Sequence, residues 1–456
     1  MKQLFARHAL LPQGWARNVL IAWDGAGTLT EVHANADGAP DVGYVLPGMV
    51  NLHSHAFQRA LGGLTERAGS TLDNSADSFW TWRDLMYRFA ATITPEQVEA
   101  IAAQLFVECL RYGYTALCEF HYLQRDPQGE WYGHLAGMAE RIAAAAAASG
   151  IGLTLLPVLY SHAGFGAQAL RPEQRRFHTS VRDVHDIVAA LEPLRSSQLE
   201  VGAAPHSLRA ASVEQMRELV DGLPAGRPLH LHIAEQQAEV DQCLAFCGQR
   251  PVDYLLSQLA IDARWCLVHA THLSGAESAR LAASGAVAGL CPTTEANLGD
   301  GLFPLAPYIA AGGAFGIGSD SHVSHSPVEE LRWLEYGQRL ARQRRNVAAT
   351  AATPDVAEFL WQGALRGGAQ AAGRPVGALA VGKRADLLVL DDAHVNLDGI
   401  DAADVLGRFL FSGNDNLVRD VLAGGQWVVR NGVHINQDSI AHRYKLALHQ
   451  LREVSR

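Results

Sequence analysis

Six positions in this chain carry residue types that bind metals or move protons, and all fall at or beside the ends of apolar runs. His53-Ser54-His55 closes YVLPGMVNLHSH, His232 and Glu235 close PLHLHIAE, His269 stands near the end of WCLVHATH, and Asp320 closes AFGIGSD. With 20 histidines in 456 residues, about one His-x-His is expected by chance, so this pair gains its weight from its place rather than its spacing. Residues two apart in a strand face the same side, so both rings of the pair point together. A satisfied core explains one such histidine. It does not explain His53, His55, His232 and His269, with an aspartate, at corresponding ends of the first, fifth, sixth and eighth runs. His230 falls one layer deeper on the inward side and reads as a hydrogen-bonded core histidine.

The elements that must position these residues repeat one theme. The apolar runs YVLPGMVNLHSH, YTALCEFHY, IGLTLLPVLY, LEVGAAPHS, PLHLHIAE, WCLVHATH, AVAGLCPTT and AFGIGSD are separated by helical stretches. One of these, TPEQVEAIAAQLFVECLRYG, opens with Thr94 as a cap and Pro95 at the first helical position. Continuous rather than alternating apolar runs are the mark of strands buried on both faces. Eight such units predict an α/β fold, a TIM-like (β/α)8 barrel over residues 47–375, with chemistry at the C-terminal strand ends. The flanks, 1–46 and 376–456, hold short runs such as NVLIAW, GTLTEV and GALAVGKRADLLVLD between turn residues. They predict a small β-sandwich built from both chain ends, with SIAHRYKLALHQLREV as a final helix. The stretch 56–94 is long for a barrel loop and carries the aromatic, arginine-bearing SFWTWRDLMYRF, which suits a wall over a pocket.

Composition narrows the function classes. The formal net charge of -10 argues against nucleic acid or an anionic membrane as partner. No apolar stretch is long enough to span a bilayer, and MKQLFARHALLPQGWA lacks the apolar core of a signal peptide. The 6 cysteines are scattered without a Cys-x-x-Cys pair, which points to reduced thiols and a cytoplasmic location. Cys243 and Cys247 lie one helical turn apart, a packing spacing.

The segments PGMVNLHSH, HLHIAEQ, VHATH and GIGSD resemble the amidohydrolase superfamily across nearly the whole chain. In its mononuclear deaminase branch, the matching positions imply His53, His55, His232 and Asp320 as metal ligands. The resemblance also sets Glu235 as proton shuttle, His269 as the group that polarises the substrate nitrogen, and Asp320 as orienter of the reacting water. Imidazoles with one carboxylate suit Zn2+, and Fe2+ or Mn2+ accept the same donors. The binuclear branch bridges its ions with a carboxylated lysine from the fourth strand. Here the lysines are Lys2, Lys383 and Lys445, so one metal per chain is expected.

Substrate class is read from the other polar residues. The fourth run continues as APHSLRA, presenting His206 and Arg209, where related nucleoside-type deaminases more often carry an aromatic in place of the arginine. An arginine in a pocket calls for a carboxylate, held bidentately at best. Gln58, Arg83 and Tyr122 are further candidates for a small anionic substrate. The longer segments NLHSHAFQRALGGLTE, SFWTWRDLMYRF, LLPVLYSHAGFG and GLCPTTEANLGDG closely resemble the formimidoylglutamate deiminase family. That resemblance implies hydrolysis of N-formimino-L-glutamate to N-formyl-L-glutamate and ammonia, in histidine degradation, by an enzyme expected to be a homodimer. Glu295 and His322 also face the expected mouth and are assigned no role. Two rivals make different demands. A guanine- or cytosine-type deaminase needs a pocket of aromatics and amides, and a barrel kept only for binding should have lost a ligand or the shuttle acid.

Overall fold

A computed structural model describes residues 2–66 and 79–454. Residues 67–78 of the expected wall, including the first residue of SFWTWRDLMYRF, lie outside the described residues. The rest of that stretch forms a short 3-10 turn, Ala56–Leu61, and a helix, Phe79–Ala90.

The apolar runs form parallel strands in two sheets. One joins Met49–Ser54, Tyr114–His121, Gly152–Leu159 and Leu199–Val201, with Ala204–Pro205 continuing beside the third. The other joins Leu229–Ile233, Trp265–His269, Val287–Leu290 and Ala314–Ile317. Isolated parallel bridges connect their edges: Ala203 with Leu229 and Ser207 with His232 on one side, Ser54 with Asp320 on the other. The strands are buried along nearly their whole lengths, as continuous apolar runs require.

Helices between the strands start where the sequence marks them. Thr94 accepts from the Gln97 amide at 3.3 Å to begin Pro95–Tyr112, and Ser212 and Ser274 cap Val213–Gly222 and Gly275–Ser284 in the same way. The helix Val356–Ala372 packs against Ala314–Ile317 and Met49–Ser54. His230 lies fully buried, its Nε2 at 2.9 Å from the Ala371 carbonyl of that helix.

The first apolar run holds two strands rather than one. Val42–Pro47 belongs with the chain ends, and Gly48 separates it from Met49–Ser54 in the parallel set. The two ends pair into one eight-stranded sheet, in which Val42–Pro47 lies between Leu387–Leu390 from the C-terminal part and Lys2–Leu11 from the N-terminus. The last helix, Gln437–Val454, packs on Pro95–Tyr112. Among the described residues, no helix is long and apolar enough to cross a membrane.

Candidate metal centre and active site

The end of the last parallel strand lies against the end of the first. A Cβ on Gly318 would come within 2.7 Å of the His53 amide nitrogen, so the approach depends on glycine at that position. The Asp320 amide donates to the His53 carbonyl at 3.0 Å, and the His55 amide donates to the Asp320 carbonyl at 3.3 Å. Beyond the strand ends the backbone turns sharply. Ala234, His269, Ala270, Asp320 and His322 all have φ between 45° and 67°, a left-handed conformation that costs non-glycine residues energy. Such outliers persist where surrounding structure over-determines them.

Donor atoms gather there around His53: one ligand atom each from His53, His55 and Asp320 lies within 4.8 Å of the others, and the same holds for His53, His232 and His269. His53 Nε2 lies 3.2 Å from His55 Nε2 and 2.9 Å from His232 Nε2, and Asp320 Oδ1 lies 3.5 Å and 3.4 Å from the first two. Donors bound at ~2.0–2.2 Å to one tetrahedral ion sit about 3.3–3.6 Å apart. His55 Nδ1 is 2.9 Å from the Phe120 carbonyl, and His232 Nδ1 is 3.1 Å from the His206 carbonyl. Both Nδ1 atoms therefore carry hydrogen, which leaves the Nε2 lone pairs bare and facing His53. His53 Nδ1, also buried, has no hydrogen-bond partner among the described residues. A hydrogen on His53 Nε2 can satisfy only one of these neighbours, whereas a divalent metal beside them would meet every lone pair, so the donor set fits such an ion.

The protonation states agree with that reading. Burial pushes His53 down to about 3, lowers His55, and holds His232 well below its ordinary value. Burial alone would raise Asp320, but its bond to His53 and the neighbouring imidazoles hold it well below the usual carboxylate range. Neutral imidazoles with an ionised carboxylate are the forms that ligate a metal.

Beside this cluster stand Glu235 and His269. Glu235 Oε1 and Asp320 Oδ2 each lie 3.7 Å from His269 Nε2. Burial raises Glu235 to about 7, against the opposing pull of His269 and Arg209. For His269, burial is outweighed by the carboxylates of Glu235, Glu295 and Asp320, which raise it to about 10. Arg209 Nη2 is 3.9 Å from both Glu235 Oε2 and Glu239 Oε2. Glu239 in turn accepts from the amides of Ala234 at 3.2 Å and Glu235 at 3.3 Å, which fixes the turn carrying Glu235.

One cavity gathers the site residues expected from the sequence. His55, Gln58, Arg83, Tyr122, His206, Arg209, His232, Glu235, His269 and Asp320 line it, and His53 lies in contact with His55 and His232 at its floor. Arg83 reaches this cavity from the helix Phe79–Ala90. Gln58 Nε2 donates to the Tyr122 hydroxyl at 2.8 Å, tying the short turn after the first strand to the end of the second. Of the two mouth residues left without a role, Glu295 Oε1 is 3.3 Å from His269 Nδ1. His322 Nε2 is 3.2 Å from the Ser54 hydroxyl, which itself donates to Glu119 at 2.5 Å.

Several lining residues had no assignment from sequence: Trp82, Met86, Tyr87, Tyr160 and Phe177. Tyr160 ends the third apolar run, so the rule that picked out the histidines applies to it as well. Its hydroxyl is 3.4 Å from that of Tyr87 and accepts from Gln174 Nε2 at 2.7 Å. Glu119 is an acid inside the second run, a position where charge is rarely buried without purpose. Phe177 and Glu239 carry no comparable signal in the sequence.

Residues 44–428 match the model of the amidohydrolase family, and the chain belongs to that family. Residues 1–42 match the N-terminal domain model of formimidoylglutamate deiminase HutF. Among characterised relatives, formimidoylglutamate deiminase of Pseudomonas aeruginosa is 52% identical, over 99% of this chain and 100% of its own. An 8-oxoguanine deaminase from the same species is 31% identical, over 85% of this chain and 82% of its own. The crystal structure of an amidohydrolase from Brucella melitensis superposes with a TM-score of 0.93 at 44% identity, covering 99% of this chain and 100% of its own.

Proposed function

We propose that this chain is a formimidoylglutamate deiminase, which hydrolyses N-formimino-L-glutamate to N-formyl-L-glutamate and ammonia, with one zinc ion held by His53, His55, His232 and Asp320. The observation that carries the reading is a single cavity with His55, His232 and Asp320 in its lining, His53 in contact with all three, and Arg83 and Arg209 in its walls, in a chain 52% identical to a formimidoylglutamate deiminase.

When bound, the ion supplies the positive charge that lets water ionise near neutral pH, and Fe2+ or Mn2+ suits the same donors. Glu235 takes a proton from the water that adds to the C=N carbon and delivers it to the imino nitrogen. It then carries the hydroxyl proton of the adduct to the same nitrogen, so that the C–N bond breaks, C=O forms and ammonia leaves. A carboxyl raised to about 7 exchanges protons in both directions at working pH. His269, through Nε2, steadies charge on the substrate nitrogen, and Asp320 orients the water. Arg83 and Arg209 bind the two carboxylates of the glutamate skeleton, with Gln58, Tyr122 and His206 completing the polar wall.

The reading includes the architecture that carries it. With Leu199–Val201 and Ala204–Pro205 taken as one strand, the parallel strands make a (β/α)8 barrel that starts at Met49 and extends to residue 375, a reading supported by the bridges between the two sheets. The segments 1–46 and 376–456 fold together as a β-sandwich, completed by the C-terminal helix. The enzyme works in the cytoplasm as a homodimer, without nucleic acid or membrane as partner.

The test is ammonia release from N-formimino-L-glutamate, 8-oxoguanine, guanine and cytosine in parallel, before and after chelation and zinc restoration. Metal-dependent release from the formimino compound alone is expected. Release from a nucleobase alone overturns the substrate and leaves the metal centre. Release that persists after complete removal of metal overturns the metal centre.

A further inference from the structure

Glu295 is the buried acid next to the site that the proposed chemistry does not use. It sits in the short helix Pro292–Leu298, after the seventh parallel strand. Among the described residues its ion-pair partner is His269, with Oε1 at 3.3 Å from Nδ1. The same oxygen accepts from the Cys291 amide at 3.0 Å, which fixes its direction, and the Asp300 amide closes on the Glu295 carbonyl at 2.9 Å.

His269 has need of such an anchor. Its φ of 67° and the 49° of Ala270 turn the backbone sharply away from the strand, so the ladder ends where the ring enters the cavity. On the cavity side, Nε2 meets Glu235 Oε1 and Asp320 Oδ2 at 3.7 Å each, beyond hydrogen-bond distance. The ring stacks on His232 at 5.5 Å between centroids and an interplanar angle of 14°, a contact that a half-turn about Cβ–Cγ would preserve. The contact to Glu295 is what selects which nitrogen faces the cavity.

We propose that Glu295 is the positioning residue for His269. By accepting the Nδ1 hydrogen it holds the ring so that Nε2 faces the reacting nitrogen. The inference rests on the role given above to His269.

The experiment measures kcat, KM and bound metal for the zinc-loaded enzyme and its Glu295→Gln, Glu295→Asp, Glu295→Ala, His269→Ala and Glu295→Ala/His269→Ala variants. Removing the outer partner of a functional histidine typically costs roughly 10–100-fold. Glu295→Ala is expected to lose kcat on that scale with KM and metal content unchanged. Glu295→Gln keeps an oxygen at the same reach and should recover most of the rate, whereas Glu295→Asp keeps the charge but withdraws the oxygen and should not. The double variant should be no slower than His269→Ala, because both changes disable one unit. Losses that multiply in the double variant, an Asp variant faster than the Gln variant, or loss of bound metal each overturn the proposal. An unaltered enzyme inactive on N-formimino-L-glutamate is a separate result, which overturns the reading of function. If Glu295→Ala does not fold, the order of the Gln and Asp variants decides alone.

Discussion

The two ends of the cavity are built differently. At the floor, His53, His55 and His232 lie on or directly after parallel strands, are almost wholly buried, and meet at 2.9 and 3.2 Å. His55 and His232 are each pinned by a carbonyl from a neighbouring strand end. The remaining wall is assembled from pieces far apart in sequence. Arg83 and Tyr87 come from Phe79–Ala90, Tyr160 and Phe177 from the segments after the third strand, and Arg209 from the turn after the fourth. Its tyrosines are held by amides, Tyr122 by Gln58 at 2.8 Å and Tyr160 by Gln174 at 2.7 Å, while Arg209 stands 3.9 Å from two carboxylates. On the proposed function, chemistry that tolerates little displacement would sit at the strand ends and recognition on connecting segments, where shape and charge can change without disturbing the strands. Substitutions at the two ends should therefore separate into losses of rate and losses of binding.

The sharpest break in that comparison is Glu235→Gln. The amide keeps the shape but cannot carry the proton, so kcat should fall by roughly 10²–10⁴-fold. Metal content should stay at one per chain, because Glu235 lies outside the donor set. Loss of metal in this variant would move Glu235 to the floor and erase the distinction between holding the ion and shuttling the proton. The pH profile carries the same test in the unaltered enzyme. The shuttle accepts a proton only when ionised, and burial raises its carboxyl to about 7. The ratio kcat/KM should therefore fall tenfold for each pH unit below about 7. That limb should vanish from the residual activity of Glu235→Gln.

Arg209→Ala tests the opposite wall, with a smaller expected effect. A hydrogen bond to a charged group contributes about 1.5–3 kcal/mol, or roughly 10–150-fold in binding. The loss should appear mainly in KM, and Arg83→Ala should behave likewise. Arg209 also neighbours Glu235, so a fall in kcat as large as the rise in KM shows that the two ends are coupled rather than separate. An unchanged KM in either variant removes that arginine from the substrate site.

What could be read from the sequence follows the same division. Residues at strand ends are legible because a buried parallel strand announces itself as an apolar run, and the polar residue that closes it stands out. His53, His232, His269 and Asp320 are of this kind, and Tyr160 was overlooked although it meets the same criterion. The division of YVLPGMVNLHSH into two strands was hidden, because Gly48 breaks a run that is apolar on both sides and belongs to two different sheets. Phe177 and Glu239 act through contacts made only in the folded chain, with partners 17 to 90 positions away for the first and across a tight turn for the second. Neither pattern has a period for the sequence to display. Arg83 lay between: its type suggested a carboxylate, but only the helix Phe79–Ala90 brings it to the cavity.

The smallest effect concerns the support beneath the floor. Glu119 is fully buried and accepts from the Ser54 hydroxyl at 2.5 Å and the Ala56 amide at 2.7 Å, both beside the His53-x-His55 pair. Burial raises it to about 8, from an ordinary value of 4.5. The folded chain thus binds this proton more tightly than the unfolded chain, so stability is fully present below about 4.5 and declines as pH rises through 8. In Glu119→Gln, the amide oxygen can accept from Ala56 and the amide nitrogen can donate to Ser54, with no charge to bury. The metal-free variant should therefore lose less Tm than the metal-free parent between pH 5 and pH 8, by a few degrees in calorimetry. Parallel Tm curves for the two proteins would mean that Glu119 is ionised in the fold, and that the floor carries a second compensated charge beneath its histidines.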